Sequence, residues 1–485
     1  MKISILHISD LHRDAENLMS NRVLLNSLEL DRDQYTLRGD PCIEAPNLII
    51  VSGDIIQGVE PNDTDAEAIL RKQYDEALSF LEDLTDCFVE GDKQRIILVP
   101  GNHDISAYHF HKSLESINVV DSNKKALAVE LFKKHSKLRW SWSDFSLHRI
   151  ADKNMYDQRF AAFVDFYNRF YEGKHSYSIE SENQFGVFFL SDFGVAVTGF
   201  CSCYNNDLMN QQGEINPDCI ASAESQIRHS LGFQECLRLA VWHHNTEGLP
   251  DEINYMNSDI VQSLINGGFS FGFHGHQHKP QFRDIRFQHG SERRIIIISA
   301  GTLCGDAAFR HKRSYNIVEL NILEGAGRLH VREMSNDNLS APIWGMGTIP
   351  PSQSKYLDFK FDPPPQLFSK TGYDTISLSK AEKLYEHGEY RAAADILATL
   401  TDDLARSLLL YCLTELGDTE KIITFFNPPK NSVETIALLD ALWEQKDKQC
   451  IRKVLELPFI TESADLSIIE IRNKYIARLK NDKIK

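Results

Sequence analysis

Six short runs rich in Ile, Val, Leu and Phe punctuate this chain, and five of them lead into residues whose side chains ligate metals. Runs of this length and composition read as largely buried strands: Ile3 to Ser9, Asn47 to Ser52, Arg95 to Val99, Leu237 to Trp242, Phe269 to Phe273 and Arg294 to Ser299. After the first five come Asp10-Leu11-His12, Gly53-Asp54, Gly101-Asn102-His103-Asp104, His243-His244 and His274-Gly275-His276-Gln277-His278. In sheets covered by helices, sites form beyond the carboxyl ends of strands, where loops from several strands converge. Groups far apart in sequence are therefore expected side by side.

Between the strands the pattern is helical, which makes the fold class α/β. Asp65 to Leu84 spaces Ala66, Ile69, Leu70, Tyr74, Ala77, Leu78 and Leu81 as a crossover helix does. Two stretches look too long for plain connections and read as insertions, 13–46 and 105–185. The second holds a helix-like run, Asp157 to Tyr171, and precedes a β-rich segment, Ser176 to Phe200. Placed beside a site, it reads as an inserted helical cap. These elements make 1–340 one domain. Pro342, Pro350, Pro351 and Pro363 to Pro365 mark 341–375 as a linker, and 376–485 reads as an all-α domain. Within it AEKLYEHGEYRAAADILATL, from Ala381, resembles a tetratricopeptide-type hairpin, an interaction surface for a protein partner.

Composition narrows the function classes. The start, MKISILHISDLH, lacks the apolar core of a secretory leader, and no run is long enough to cross a bilayer, so no membrane role is expected. Nine scattered cysteines without a CxxC spacing read as free thiols of a reducing cytoplasm. Cys201 and Cys203, the only close pair, read as strand packing rather than a metal clip. A net charge of −17 argues against a uniformly basic nucleic-acid-gripping surface but leaves room for a local groove.

Each strand-end motif has its own chemistry. Asp-x-His puts a carboxylate and an imidazole within reach of one ion. In GNHD the glycine permits close backbone approach, the Asn oxygen can ligate, and the histidine can carry a proton. HGHQH packs three imidazoles into five residues. Of the adjacent pair, His243 reads as the ligand and His244 as its support, since neighbours point apart. Asp104 and His274 likewise read as residues that hold the ligands in place.

The order DxH, GD, GNHD, HH and GHxH resembles the calcineurin-like metallophosphoesterase superfamily over about residues 1–325, and Ser299 to Thr302 looks like its last core strand and turn. The resemblance implies a four-layer α/β/β/α sandwich and a phosphoric ester hydrolase with two divalent metal ions. On that pattern Asp10, His12 and His278 hold one ion, Asn102, His243 and His276 the other, and Asp54 bridges them. His103 would be the catalytic acid or contact the phosphate. A pair of divalent ions can share a hydroxide and clamp an in-line displacement at phosphorus. Mixed oxygen and nitrogen donors suit manganese, iron or zinc better than calcium without choosing among the three, and manganese is the first expectation.

GNHD rather than GNHE, and no arginine-bearing extension after GD, depart from the protein phosphatase branch. VSGDIIQG and VPGNHD look like the cyclic-nucleotide phosphodiesterase branch, so a phosphodiester of nucleotide type is the expected substrate. The competing reading is a DNA or RNA nuclease working with a protein partner; a non-catalytic scaffold comes third, because no ligand position is degraded. From Lys124 to Lys174 eleven Lys or Arg face six Asp or Glu, interleaved with aromatics from Trp140 to Tyr171. These could stack a nucleotide or single strand, or form the cap's own core with lysines solvated outside.

Overall fold

The β-branched run KISILHI forms β1 (Lys2–Ile8), and the apolar stretches after it form β2 (Leu48–Val51) and β3 (Ile96–Leu98). In this computed structural model the described residues are 1–485 apart from 15–18, 249–252, 287–292, 309, 350–353, 365–377, 379–380, 383, 386, 401–402, 462, 464–465 and 482–485. The three strands are parallel and adjacent, with Ile5 opposite Leu48 and Ile50 opposite Ile97. Helices α1 (Asn21–Leu37) and α2 (Ala66–Val89) make the two crossovers and bury Leu24, Leu28, Tyr74, Phe80 and Leu84 in the core.

The expected insertion at 13–46 is therefore corrected: it carries the ordinary crossover helix between two parallel strands, and α1's weak amphipathic pattern hid it. Residues 105–185 differ too. They hold α3 (Ala107–Lys112), β4 (Leu114–Ile117), α4 (Lys124–Leu131), β5 (Leu138–Ser141), β6 (Ser146–Ile150), α5 (Lys153–Asp157) and α6 (Ala161–Phe170). The cap is thus not simply helical, for β4, β6 and β5 form a three-stranded antiparallel sheet. Its strands are short and polar on one face, so no apolar run announced them. Helix α6 belongs to the main core instead, burying Phe163, Phe166, Tyr167 and Phe170.

The chain continues through β7 (Phe185–Leu190), β8 (Val195–Phe200), α7 (Pro217–His229), β9 (Leu237–Val241), α8 (Ser258–Asn266), β10 (Phe271–His274), β11 (Gln281–Arg286) and β12 (Arg294–Ser299). The six strands make a second sheet, ordered β11-β12-β10-β9-β8-β7 and parallel from β8 through β12. Alternation explains its packing. Leu239, Val241, Ile296 and Ile298 join the core shared with the first sheet. Ala240, Trp242, Ile295 and Ile297 join a second core with Ile220 and Leu264 of α7 and α8.

Four further strands complete the first sheet: β13 (Ser314–Asn321), β14 (Ala326–Met334), β15 (Trp344–Met346) and β16 (Leu357–Lys360). β13 lies antiparallel to β1, while β15 and β16 both pair with β14. The stretch read as linker from 341 thus contributes two strands, and Trp344, Ile349 and Phe361 are buried. Pro342 stands just before β15 and Pro363 and Pro364 just after β16, which gave the stretch a linker's composition; Pro350, Pro351 and Pro365 lie outside the described residues. The chain divides into compact units at 1–367 and 368–485. In the second, the elements described are helices, including Tyr390–Leu397, Asp403–Glu415, Thr419–Phe426, Ser432–Glu444, Lys448–Leu455 and Leu466–Asn481. The breaks fall where Asn427-Pro428-Pro429 and Leu457-Pro458 stand. No described helix is long and apolar enough to cross a membrane.

Candidate metal centre

Parallel β1, β2 and β3 in one sheet and β9 and β10 in the other deliver their carboxyl-end loops to one place. The first two loops run alongside each other, with Asp10 N bonded to Gly53 O (3.1 Å), His12 N to Asp54 O (3.0 Å) and Arg13 N to Ile55 O (2.9 Å). Five of the seven predicted ligands have left-handed backbone: Asp10 (φ 54°), His12 (43°), Asp54 (50°), His276 (73°) and His278 (54°). Side-chain-bearing residues seldom adopt this conformation, and its concentration here turns these side chains out of the strand direction. Two glycines permit the approach. A Cβ on Gly101 would stand 2.1 Å from Asp54 Oδ1, and one on Gly275 1.8 Å from Ser9 Oγ.

Three overlapping groups have ligand atoms all within 4.8 Å of one another: Asp10, His12 and His278; His12, Asp54 and His103; Asp54, His243 and His276. Asp54 Oδ2 stands 3.1 Å from His243 Nε2 and 3.9 Å from His12 Nε2, and Asp10 Oδ1 is 3.2 Å from His278 Nε2. Asn102 joins the third group, its Oδ1 lying 3.1 Å from His243 Nε2 and 2.9 Å from His276 Nδ1. All seven predicted ligand positions are thus brought together.

The donor set fits cations. His243 Nδ1 donates to Ser52 O (2.8 Å), which leaves Nε2 with a lone pair aimed at the oxygens of Asn102 and Asp54. Both ring nitrogens of His12 and Nε2 of His276 are buried without a hydrogen-bond partner. Buried acceptors facing acceptors are costly unless positive charge sits between them. Protons partly fill that role: burial opposes charge on His243 and His278, but Asp54 raises the first to about 9 and Asp10 the second likewise. Burial also works against charge on Asp54, yet His243 and His103 hold its carboxyl well below the usual range. Burial keeps His276 neutral, down to about 3.

The supporting residues have separate tasks. Asp104 accepts from Gly101 N (2.7 Å), Ile55 N (3.1 Å) and the Tyr74 hydroxyl (3.1 Å), tying the GD and GNHD loops together; burial and then Asp54's charge push it up to about 7. His244 has Nδ1 2.9 Å from Ser202 Oγ and Nε2 3.2 Å from Asn206 Nδ2, and its ring stands 4.8 Å from that of His276. His274 stacks on Trp242 and is absent from all three groups. His103 is half-buried; its Nδ1 lies 2.8 Å from Gln57 O and donates there, which leaves Nε2 available, while its backbone N donates to Asp54 Oδ1 (2.9 Å). Ser202 and Asn206 escaped the sequence reading. No local pattern marks them; they reach the site because they follow β8, which runs parallel to β9 and ends on the same side. Cys201 and Cys203 are buried in the main core and take part in none of the groups.

Oxygen and nitrogen donors converging at the ends of parallel strands form groups that could hold metal ions. The family model for calcineurin-like phosphoesterase matches residues 3–280, and the chain belongs to that family of metal-dependent phosphoester hydrolases. No curated protein matches the sequence. Among solved structures it is similar to a purple acid phosphatase from yellow lupin, Lupinus luteus (8% identity, 71% of this chain and 53% of that one, TM-score 0.37). A putative 5'-nucleotidase from Staphylococcus aureus gives 12% identity, 71% and 53% coverage and a TM-score of 0.31. Wild-type Vps29 from Entamoeba histolytica, complexed with zinc, gives 8%, 74%, 100% and 0.26. The chain spans about half the length of the first two.

Proposed function

We propose that the protein hydrolyses a phosphodiester of nucleotide type at a two-metal site, manganese being the first candidate. Asp10, His12 and His278 would hold one ion, Asn102, His243 and His276 the other, and Asp54 both. The observation that carries this is the convergence of seven donors from five loops, with buried lone pairs facing one another. When bound, a pair of divalent cations lowers the pKa of a water and neutralises charge on the phosphoryl oxygens. The chain does the rest. His103, oriented by Gln57 O, gives a proton from Nε2 to the leaving oxygen, and Asp104 keeps the Asp54 and Asn102 loops in register. The two sheets sharing one core, with α1 and α2 against the first and α7 and α8 against the second, support a four-layer scaffold.

The test is hydrolysis by the manganese-loaded protein of a bis-aryl phosphodiester, cyclic and linear dinucleotides, and single- and double-stranded DNA. We expect turnover of nucleotides, a fall of about 10²- to 10⁴-fold for His103→Ala, and a larger loss with depleted metal for Asp54→Asn. Equal rates in wild type and Asp54→Asn would sink the proposal. Cutting of DNA would select the nuclease reading. That reading draws support from a cavity of about 790 Å3 beside Phe132, Lys133, Lys134 and Trp142, whose two aromatic rings are exposed. The nine free cysteines support a reducing, cytoplasmic setting. We also propose that 376–485 is a tetratricopeptide-like surface for a protein partner; deleting it without changing complex formation would remove the idea.

A further inference from the structure

A second cavity, of about 260 Å3, opens directly on Asn102 and His276. One wall comes from the GNHD loop and cap helix α3, through Ile105 and Phe110, and the other from the loop after β8, through Asn206, Leu208 and Gln211, with Asn254 closing it. Among the described residues its chemistry is neutral, and the one carboxylate on its lining, Asp207, is consumed by Arg139 Nε (2.8 Å), the Tyr156 hydroxyl (3.0 Å) and the backbone N of Met209 and Asn210. No Lys or Arg lines it among the described residues. A second phosphate would find no counter-charge from these residues, whereas the apolar side chains of Ile105, Ala107 and Phe110 and the carboxamides beside them suit a planar group with ring donors and acceptors. One acceptor is waiting: Asn254 Oδ1 is buried without a partner, and such an atom in a native fold calls for a donor. The volume lies below the roughly 300–1,000 Å3 of clefts for larger ligands, a size for one ring system.

We propose that this cavity is a nucleobase pocket, seating one base whose own phosphate lies at the metal centre, with Asn254 accepting from a ring N–H or amino group and Gln211 completing the edge. The inference rests on the phosphoesterase reading of that centre, and the experiment separates the two. Binding of orthophosphate, ribose 5-phosphate and the four nucleoside 5'-monophosphates to the manganese-loaded full chain is measured by calorimetry, in wild type, Asn254→Ala and Gln211→Ala. At least one nucleotide should bind about tenfold or more tighter than ribose 5-phosphate, in keeping with one or two buried hydrogen bonds. Asn254→Ala should erase most of that margin, and Gln211→Ala part of it, while orthophosphate binds all three proteins alike. Ribose 5-phosphate matching every nucleotide, with orthophosphate still bound, would overturn the pocket and spare the metal centre. Failure of orthophosphate to bind would overturn the reading beneath it, and the pocket with it.

Discussion

At the scale of single residues the centre depends on groups that touch no substrate. Gly101 has no room for a side chain, because a Cβ would meet Asp54 Oδ1 and, at 2.3 Å, Asp54 N. Gly101→Ala must therefore push the GD and GNHD loops apart. We expect manganese affinity to fall about 10- to 100-fold, the usual cost of disturbing what orients a ligand, read by metal titration. His7, behind the centre, makes a different prediction. Its Nε2 meets Ser52 Oγ at 2.9 Å and its ring meets Phe273 edge-on; burial, then His274, lowers its pKa to about 3. The unfolded chain takes up this proton near pH 6.5 and the folded chain only near 3. Its stabilising contribution is thus complete above pH 6.5 and is lost as pH falls through that window, by on the order of 2 kcal/mol at pH 5. Urea unfolding at pH 7.5 and 5 should show a smaller pH effect in His7→Gln than in wild type; an unchanged pH effect would count against a neutral buried His7.

At the scale of elements, the aromatic insertion splits into two populations. Phe166 of α6 is fully buried and stacks on Tyr74 of α2, ring centroids 4.8 Å apart, whereas Trp142 and Phe145 in the β5–β6 turn are more than two-thirds exposed. Phe166→Ala should cost about 3–5 kcal/mol, the range for emptying a core aromatic site. Trp142→Ala should stay within about 0.5 kcal/mol. Thermal unfolding of the two variants checks both, and comparable losses would mean that the cap sheet is part of the main core. The helix-like run at 157–171 was legible from its spacing, but whether its aromatics face a substrate or a core was not. Periodicity says that a stripe exists; only the neighbouring α2 shows what covers it.

At the scale of the whole molecule, the domain edge is the testable feature. A chain ending at 340 would lack β15 and β16, leaving β14 without those partners and removing Trp344, whose Nε1 bonds Ser27 Oγ at 2.9 Å. One ending at 367 keeps them. We expect 1–367 to unfold cooperatively and bind manganese as the full chain does, and 1–340 to melt at least several degrees lower. Equal melting temperatures would restore the earlier boundary.

What the sequence determined by itself was which residues could meet and in what order: β-branched runs specify buried strands, and the loops after them carry Asp10, Asp54, Asn102, His243 and His278. The tertiary structure decided how they meet. Backbone in the left-handed region at five of the seven positions, Asp104 bridging two loops, and His244 set between Ser202 and Asn206 are not written in any local pattern. They arise because two sheets with parallel strands bring loops hundreds of residues apart into contact, and only those contacts hold each side chain in an orientation that its own segment would not choose.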